Sequence, residues 1–140
     1  MSTRLLPRFK ADLGELSRIR DYVTKTATGL GVVPTALDGL RVAVDEAVTN
    51  IIVHGYGGPG EITLELSAER GDLVVRLCDK APAFDSANEA PDELNPDDSR
   101  TRPGGFGLYL MKQAMDDITH RPLHPGNELT MIKRNVVDVG

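Results

Sequence analysis

The chain has 140 residues, 40% hydrophobic and 26% charged, with a formal net charge of −5. That size suits one compact domain over residues 1–140, large enough to bury a core without a disulfide or metal. The acidic balance argues against direct nucleic-acid or anionic-membrane binding, no apolar run reaches the roughly 18 residues a bilayer span needs, and the single Cys78 cannot form an internal disulfide or a cysteine zinc site. The expected setting is soluble and cytoplasmic.

Residues 3–9 read as a short edge strand, since Pro7 cannot serve a central one. Asp12 is placed as a helix N-cap. Leu13, Leu16, Ile19, Val23, Ala27 and Leu30 follow at three- and four-residue spacing, the pattern of an amphipathic helix that ends at Gly29-Leu30-Gly31. Pro34 opens a second helix running to about Gly55. After the turn cluster Gly57-Gly58-Pro59-Gly60, Ile62, Leu64 and Leu66 alternate with polar residues as a strand with one buried face. Arg70-Gly71-Asp72 turns the chain back into a strand over 73–78.

Residues 80–103 differ in character, holding four prolines and six acids against three bases. A segment of that length without regular structure is expected to be a functional lid or disordered. Gly104-Gly105-Phe106-Gly107 leads into an apolar helix from Leu108 to about Met115, and strands over 117–122 and 128–134 complete the chain. Consecutive hairpin strands with helices gathered elsewhere predict an α+β two-layer sandwich rather than a doubly wound parallel sheet.

Three segments carry chemistry. In the second helix, a 100° step per residue puts Leu37, Leu40, Val44, Ala47, Val48, Ile51 and Ile52 on one arc and stacks Glu46, Asn50 and His54 on another. A carboxamide one turn from a carboxylate can ligate a hard cation beside a general base. From this helix alone, a solvated polar face with an ordinary hydrogen-bonded histidine is the simpler reading. Asp79, at a strand end entering a loop, can accept a hydrogen bond from an exocyclic amine or simply form a turn. The glycines at 104–107 open a helix whose free N–H groups can bind phosphate or merely cap it. Cys78 reads as a buried small hydrophobe. His120 and His124 are separated by Pro122, which argues against a preformed metal pair.

The order of these segments resembles the ATPase superfamily of gyrase, mismatch-repair proteins, heat-shock chaperones and histidine kinases. Asp45-Glu46-Ala-Val-Thr-Asn50-Ile-Ile-Val-His54-Gly-Tyr56 is similar to its N box, and Asp79-Lys-Ala-Pro-Ala-Phe84-Asp85 to its first glycine box. Gly104-Gly-Phe-Gly107-Leu-Tyr-Leu-Met111 is similar to the second glycine box, and Gly126-Asn-Glu-Leu-Thr130-Met-Ile-Lys133 to the closing segment. The small size and the His-Gly-Tyr ending look most like stand-alone anti-sigma-factor serine/threonine kinases.

That resemblance implies a histidine-kinase-like fold: a mixed, mostly antiparallel sheet with helices on one face and an ATP lid at about 80–103. It implies ATP and Mg²⁺ as ligands, with Asn50 on the metal and Glu46 as general base. Asp79 would hold the adenine amine, Thr130 would support that contact, and Gly105 and Gly107 would cradle phosphates. Arg100 or Arg102 would be lid residues, more simply exposed charge than phosphate ligands. The implied activity is phosphorylation of an anti-sigma-factor antagonist by a protein that otherwise holds a sigma factor, and a homodimer is suggested. A non-catalytic module that sequesters a sigma factor or other regulator is the alternative, and hydrolysis by an activated water stays open. A histidine kinase proper is disfavoured, because its phosphoacceptor histidine lies in a separate helical region. The sequence departs from the family's Asp-x-Gly at Ala81, where a methyl group would hurt if the backbone required φ > 0 or a close approach by the nucleotide.

Overall fold

A computed structural model describes residues 7–56, 60–81, 105–123 and 125–138. Five strands form one sheet in the order β1-β2-β3-β5-β4: β1 Arg8–Lys10, β2 Glu61–Glu69, β3 Asp72–Asp79, β4 Asp117–Pro122 and β5 Asn127–Lys133. All four pairings are antiparallel. Three helices accompany them: α1 Leu16–Gly29, α2 Leu37–Asn50 and α3 Gly105–Ala114. The α+β architecture read from the sequence is the one observed.

The boundaries moved where local chemistry was richer than the pattern. The edge strand lies at Arg8–Lys10 rather than 3–9, and residues 3–6 are outside the described residues. Asp12 does cap, but it caps a 3₁₀ turn at Leu13–Glu15, accepting from the Gly14 N–H at 2.8 Å before α1 begins. Leu13 therefore falls outside the core at 50% exposure, while Ile19, Val23 and Ala27 are buried. A 3₁₀ turn at Pro34–Ala36 likewise precedes α2.

The end of α2 holds the larger difference. From Ile51 to Tyr56 the winding is π-helical. The four-residue stacking of Glu46 on Asn50 thus stops before His54, because a π turn carries more residues per revolution. The side chain of His54 lies outside the described residues.

Alternation divides the sheet. Phe9, Ile62, Leu64, Leu66, Leu73, Val75, Leu77, Leu129 and Met131 point inward and join Ile19, Val23, Leu40, Val44, Val48 and Met111 in one buried cluster. The outer face carries cross-strand ion pairs instead, Arg76 with Glu65 at 2.9 Å and Arg121 with Glu128 at 3.2 Å. This is the one-face-packed form of an antiparallel sheet. The β2–β3 hairpin closes on Arg70 and Gly71, both at positive φ (54° and 86°), as a right-twisting two-residue turn demands.

Two further ties hold the layers. Arg20 of α1 grips both carboxylate oxygens of Asp45 on α2, at 2.7 and 3.0 Å. The tail returns over the hairpin, with the Val136 and Val137 N–H groups donating to the Gly71 carbonyl and Asp138 N–H to that of Gly31. No described helix is long and apolar enough to cross a membrane.

Candidate functional site

Asp79 continues the inward series Leu73, Val75, Leu77, so a carboxylate occupies a position that β3 otherwise fills with core residues. It is 5% exposed. Its Oδ1 accepts two hydrogen bonds, from the Ala81 N–H at 2.9 Å and from Asn127 Nδ2 at 2.9 Å. Asn127 is the cross-strand partner of Asp79 and is 2% exposed. Its Nδ2 also donates to the Ala81 carbonyl at 3.2 Å, and its Oδ1 lies 2.8 Å from His120 Nε2 on β4. Burial raises the Asp79 pKa, while the bonds from Asn127 and Ala81 and the nearby His120 pull it back.

Gly126 fixes this corner sterically. It sits at φ +111°, and a Cβ there would lie 2.0 Å from the Asp79 carbonyl oxygen. Only glycine permits both the conformation and the approach. Gly126→Ala is expected to destabilise the fold by about 2–4 kcal/mol, read as a lower midpoint in urea unfolding.

Thr130 does not reach this corner. Asn127, Leu129 and Met131 face inward, so Thr130 points outward, opposite Arg76 and Thr119. The residue that bonds Asp79 from β5 is Asn127, which lies in phase with Leu129 and Met131. Cys78 also belongs to the outer face, half-buried with Sγ 3.9 Å from Glu128 Oε2, rather than to the core. Burial and Glu128 push its thiol pKa up. His120 bonds to Asn127, and no group of metal-ligating side chains occurs among the described residues. His124 lies outside them.

On α2, Asn50 corrects the solvated-face reading: it is 4% exposed. Ala43 and Asn50 widen the buried arc on one flank, and Glu46, half-buried, forms its boundary. The neighbour on that flank is α3. Gly39 shares the side of Glu46 and Asn50 by the 100° step, and a Cβ on it would lie 3.9 Å from Ala114 Cβ. α2 and α3 make the most extensive contact between described helices. Two helices packed along their length that meet at the start of one and the end of the other run antiparallel. The first turn of α3 is therefore directed toward the Asn50 end of α2.

Gly105 and Gly107 lie inside that first turn, not in a loop before it. Their N–H groups are among the four that an α-helix leaves without internal partners. Asn50 Nδ2 is buried and has no hydrogen-bond partner. An unpaired buried amide costs about 1–3 kcal/mol, a cost that a polar ligand at this position removes. An unpaired N–H beside free helix-start N–H groups fits an oxygen-rich, negatively charged ligand. Glu46 has a raised pKa, from burial first and the adjacent Asp45 second.

Ala81 is buried, at 1% exposure, and is not among the described non-glycine residues at positive φ, which are Arg70 and Asn135. The backbone at this position imposes no glycine requirement. Of the predicted lid, Lys80 and Ala81 are described; Phe84, Asp85, Arg100 and Arg102 lie outside the described residues.

Known proteins share this sequence pattern and fold. Residues 9–133 match the family described as histidine kinase-like ATPase domain. The serine-protein kinase RsbW of Listeria innocua is 35% identical over 112 residues, covering 76% of this chain and 68% of its own. That of Bacillus pumilus is 31% identical over 109 residues, covering 71% and 67%. The crystal structure of the RsbU and RsbW domains of a Mycobacterium tuberculosis protein matches with a TM-score of 0.58 at 15% identity, over 91% of this chain and 32% of that one. The Acinetobacter baumannii histidine kinase AdeS matches with a TM-score of 0.50 at 10% identity, over 94% and 68%. At such identities the structural matches speak for the fold alone. The chain belongs to the histidine kinase-like ATPase domain family and is related within it to the serine-protein kinases RsbW.

Proposed function

We propose that the protein is an ATP-dependent serine/threonine protein kinase that acts as an anti-sigma factor and phosphorylates an anti-sigma-factor antagonist. The observation that carries this reading is the buried Asn50 Nδ2, a donor without a hydrogen-bond partner, one helical turn from Glu46. A packed core does not leave such a group without reason. Relatives named serine-protein kinase support the reaction class.

Phosphoryl transfer asks mainly for positioning and charge neutralisation. Asn50 would hold Mg²⁺ through its carboxamide oxygen, and the cation supplies charge neutralisation at the phosphates when bound. The Gly105 and Gly107 N–H groups would receive phosphate oxygens. Asp79 would accept from the adenine amine through Oδ2, since Oδ1 already takes two donors. Glu46 would take the proton of the attacking serine or threonine hydroxyl, and its raised pKa suits a base better than an ordinary surface carboxylate does.

The non-catalytic alternative, a module that sequesters its partner, is favoured by the buried Ala81 methyl beside the adenine position. Calorimetric titration with ATP, with and without Mg²⁺, separates the two. Wild type is expected to bind ATP in a metal-dependent way, and Asn50→Ala to lose that dependence together with at least about 100-fold in affinity. Absence of ATP binding by the wild type would sink the kinase reading and leave the sequestering module.

A further inference from the structure

We propose that Asn127, held by His120, is the positioning residue that orients Asp79 and so sets the preference of this site for a base bearing an exocyclic amine over one bearing a carbonyl there. The ligand class rests on the nucleotide reading above. The clamp itself rests on hydrogen bonds within the protein.

Asn127 Nδ2 has two acceptors in reach, Asp79 Oδ1 and the Ala81 carbonyl. Only the amide nitrogen can face both, so the amide oxygen must face His120. His120 Nε2, 2.8 Å away, is then the donor. These polar contacts leave the Asn127 side chain one orientation in a site 2% exposed.

That orientation has a chemical consequence at Asp79. With Oδ1 taken by Ala81 and Asn127, Oδ2 is the oxygen free for a ligand, and an ionised carboxylate can only accept. It accepts from an amine and repels a carbonyl. Without the Asn127 donor, one of the two bonds that favour the ionised form is gone. The carboxyl then protonates more easily and can turn an O–H toward a carbonyl. Loss of Asn127 therefore erodes discrimination, not only affinity.

Asn127→Val and Asn127→Thr have the same shape and differ by one hydroxyl donor, so together they isolate the hydrogen bond. The Asp79 carboxyl ¹³C shift is titrated without nucleotide, and ATP and GTP affinities are measured for each protein. In Asn127→Val, Asp79 is expected to titrate at higher pH and the ATP-to-GTP affinity ratio to fall about tenfold or more. Asn127→Thr is expected to restore part of both changes. If Asn127→Val does not fold, His120→Phe, which frees the amide to turn, is expected to lower the ratio in the same direction by about threefold. Wild-type binding of ATP, with ratio and titration unchanged in the variant used, would overturn the role of Asn127 alone. Failure of wild type to bind either nucleotide would overturn the nucleotide reading and the specificity with it, whatever the Asp79 titration shows.

Discussion

Glu46→Gln is expected to bind ATP as the wild type does while transferring phosphate at least about 100-fold more slowly, the usual contribution of a positioned general base. The substitution keeps size and polarity and removes only the capacity to take a proton. A base must be ionised to act, so wild-type turnover should rise with pH through the Glu46 pKa. Burial and the neighbouring Asp45 raise that pKa, which moves the acidic limb of the rate profile above the ordinary glutamate range. Asp45→Asn removes the second cause and should draw the limb back toward lower pH. Single-turnover transfer to an acceptor protein across a pH series reads both effects. Unchanged transfer by Glu46→Gln would remove Glu46 from the reaction.

Asp79→Asn is expected to lose ATP affinity by about 100-fold or more while unfolding at the same temperature as wild type or higher. The amide oxygen can still accept from Ala81 and Asn127, so the internal bonds persist. What changes is the group aimed at the ligand, now an N–H facing an amine. The stability half follows from sign. Burial raises the folded-state pKa of Asp79 above its ordinary value, so the folded chain favours the protonated form more than the unfolded chain does. The cost is absent below the unfolded value, grows as pH rises, and is complete above the folded pKa. At neutral pH the wild type carries it and the asparagine variant does not. Thermal unfolding beside calorimetry tests the pair, and a variant that loses binding and stability together would make Asp79 structural.

Periodicity carried most of the architecture. Ile62, Leu64 and Leu66 on β2 and Leu40, Val44 and Val48 on α2 announced their buried faces through spacing alone, and those faces are the ones buried. The site was less open to this kind of reading because its parts come from different elements. Asn50 looked solvated on a wheel that knew only α2; α3, distant in sequence, covers that flank. Asn127 had a signal that went unused: a polar residue at the strand start, in phase with Leu129 and Met131, just as Asp79 is in phase with Leu73, Val75 and Leu77. Thr130 belongs to the closing segment but is out of that phase, and a shift by an odd number of residues turns a side chain to the other face. The π turn after Asn50 left no periodic trace to read.

The pairing of β3 with β5 has a consequence for how the molecule assembles. β2 with β3, and β4 with β5, are neighbours along the chain and can pair early, whereas Asp79 and Asn127 are 48 residues apart. Closing that span, like pairing β1 with β2 between Arg8 and Thr63, is a long-range step, the kind that slows folding because the entropy of closure is spent before contacts repay it. The Asp79–Asn127 corner thus exists only once the two hairpins have docked, and any ligand that binds there selects docked chains by mass action. Closure entropy grows only logarithmically, by about 0.6 kcal/mol per doubling of length. The stretch between Ala81 and Gly105 can accordingly lengthen or change composition at small energetic cost, leaving evolution free to retune that connection while the paired strands stay fixed.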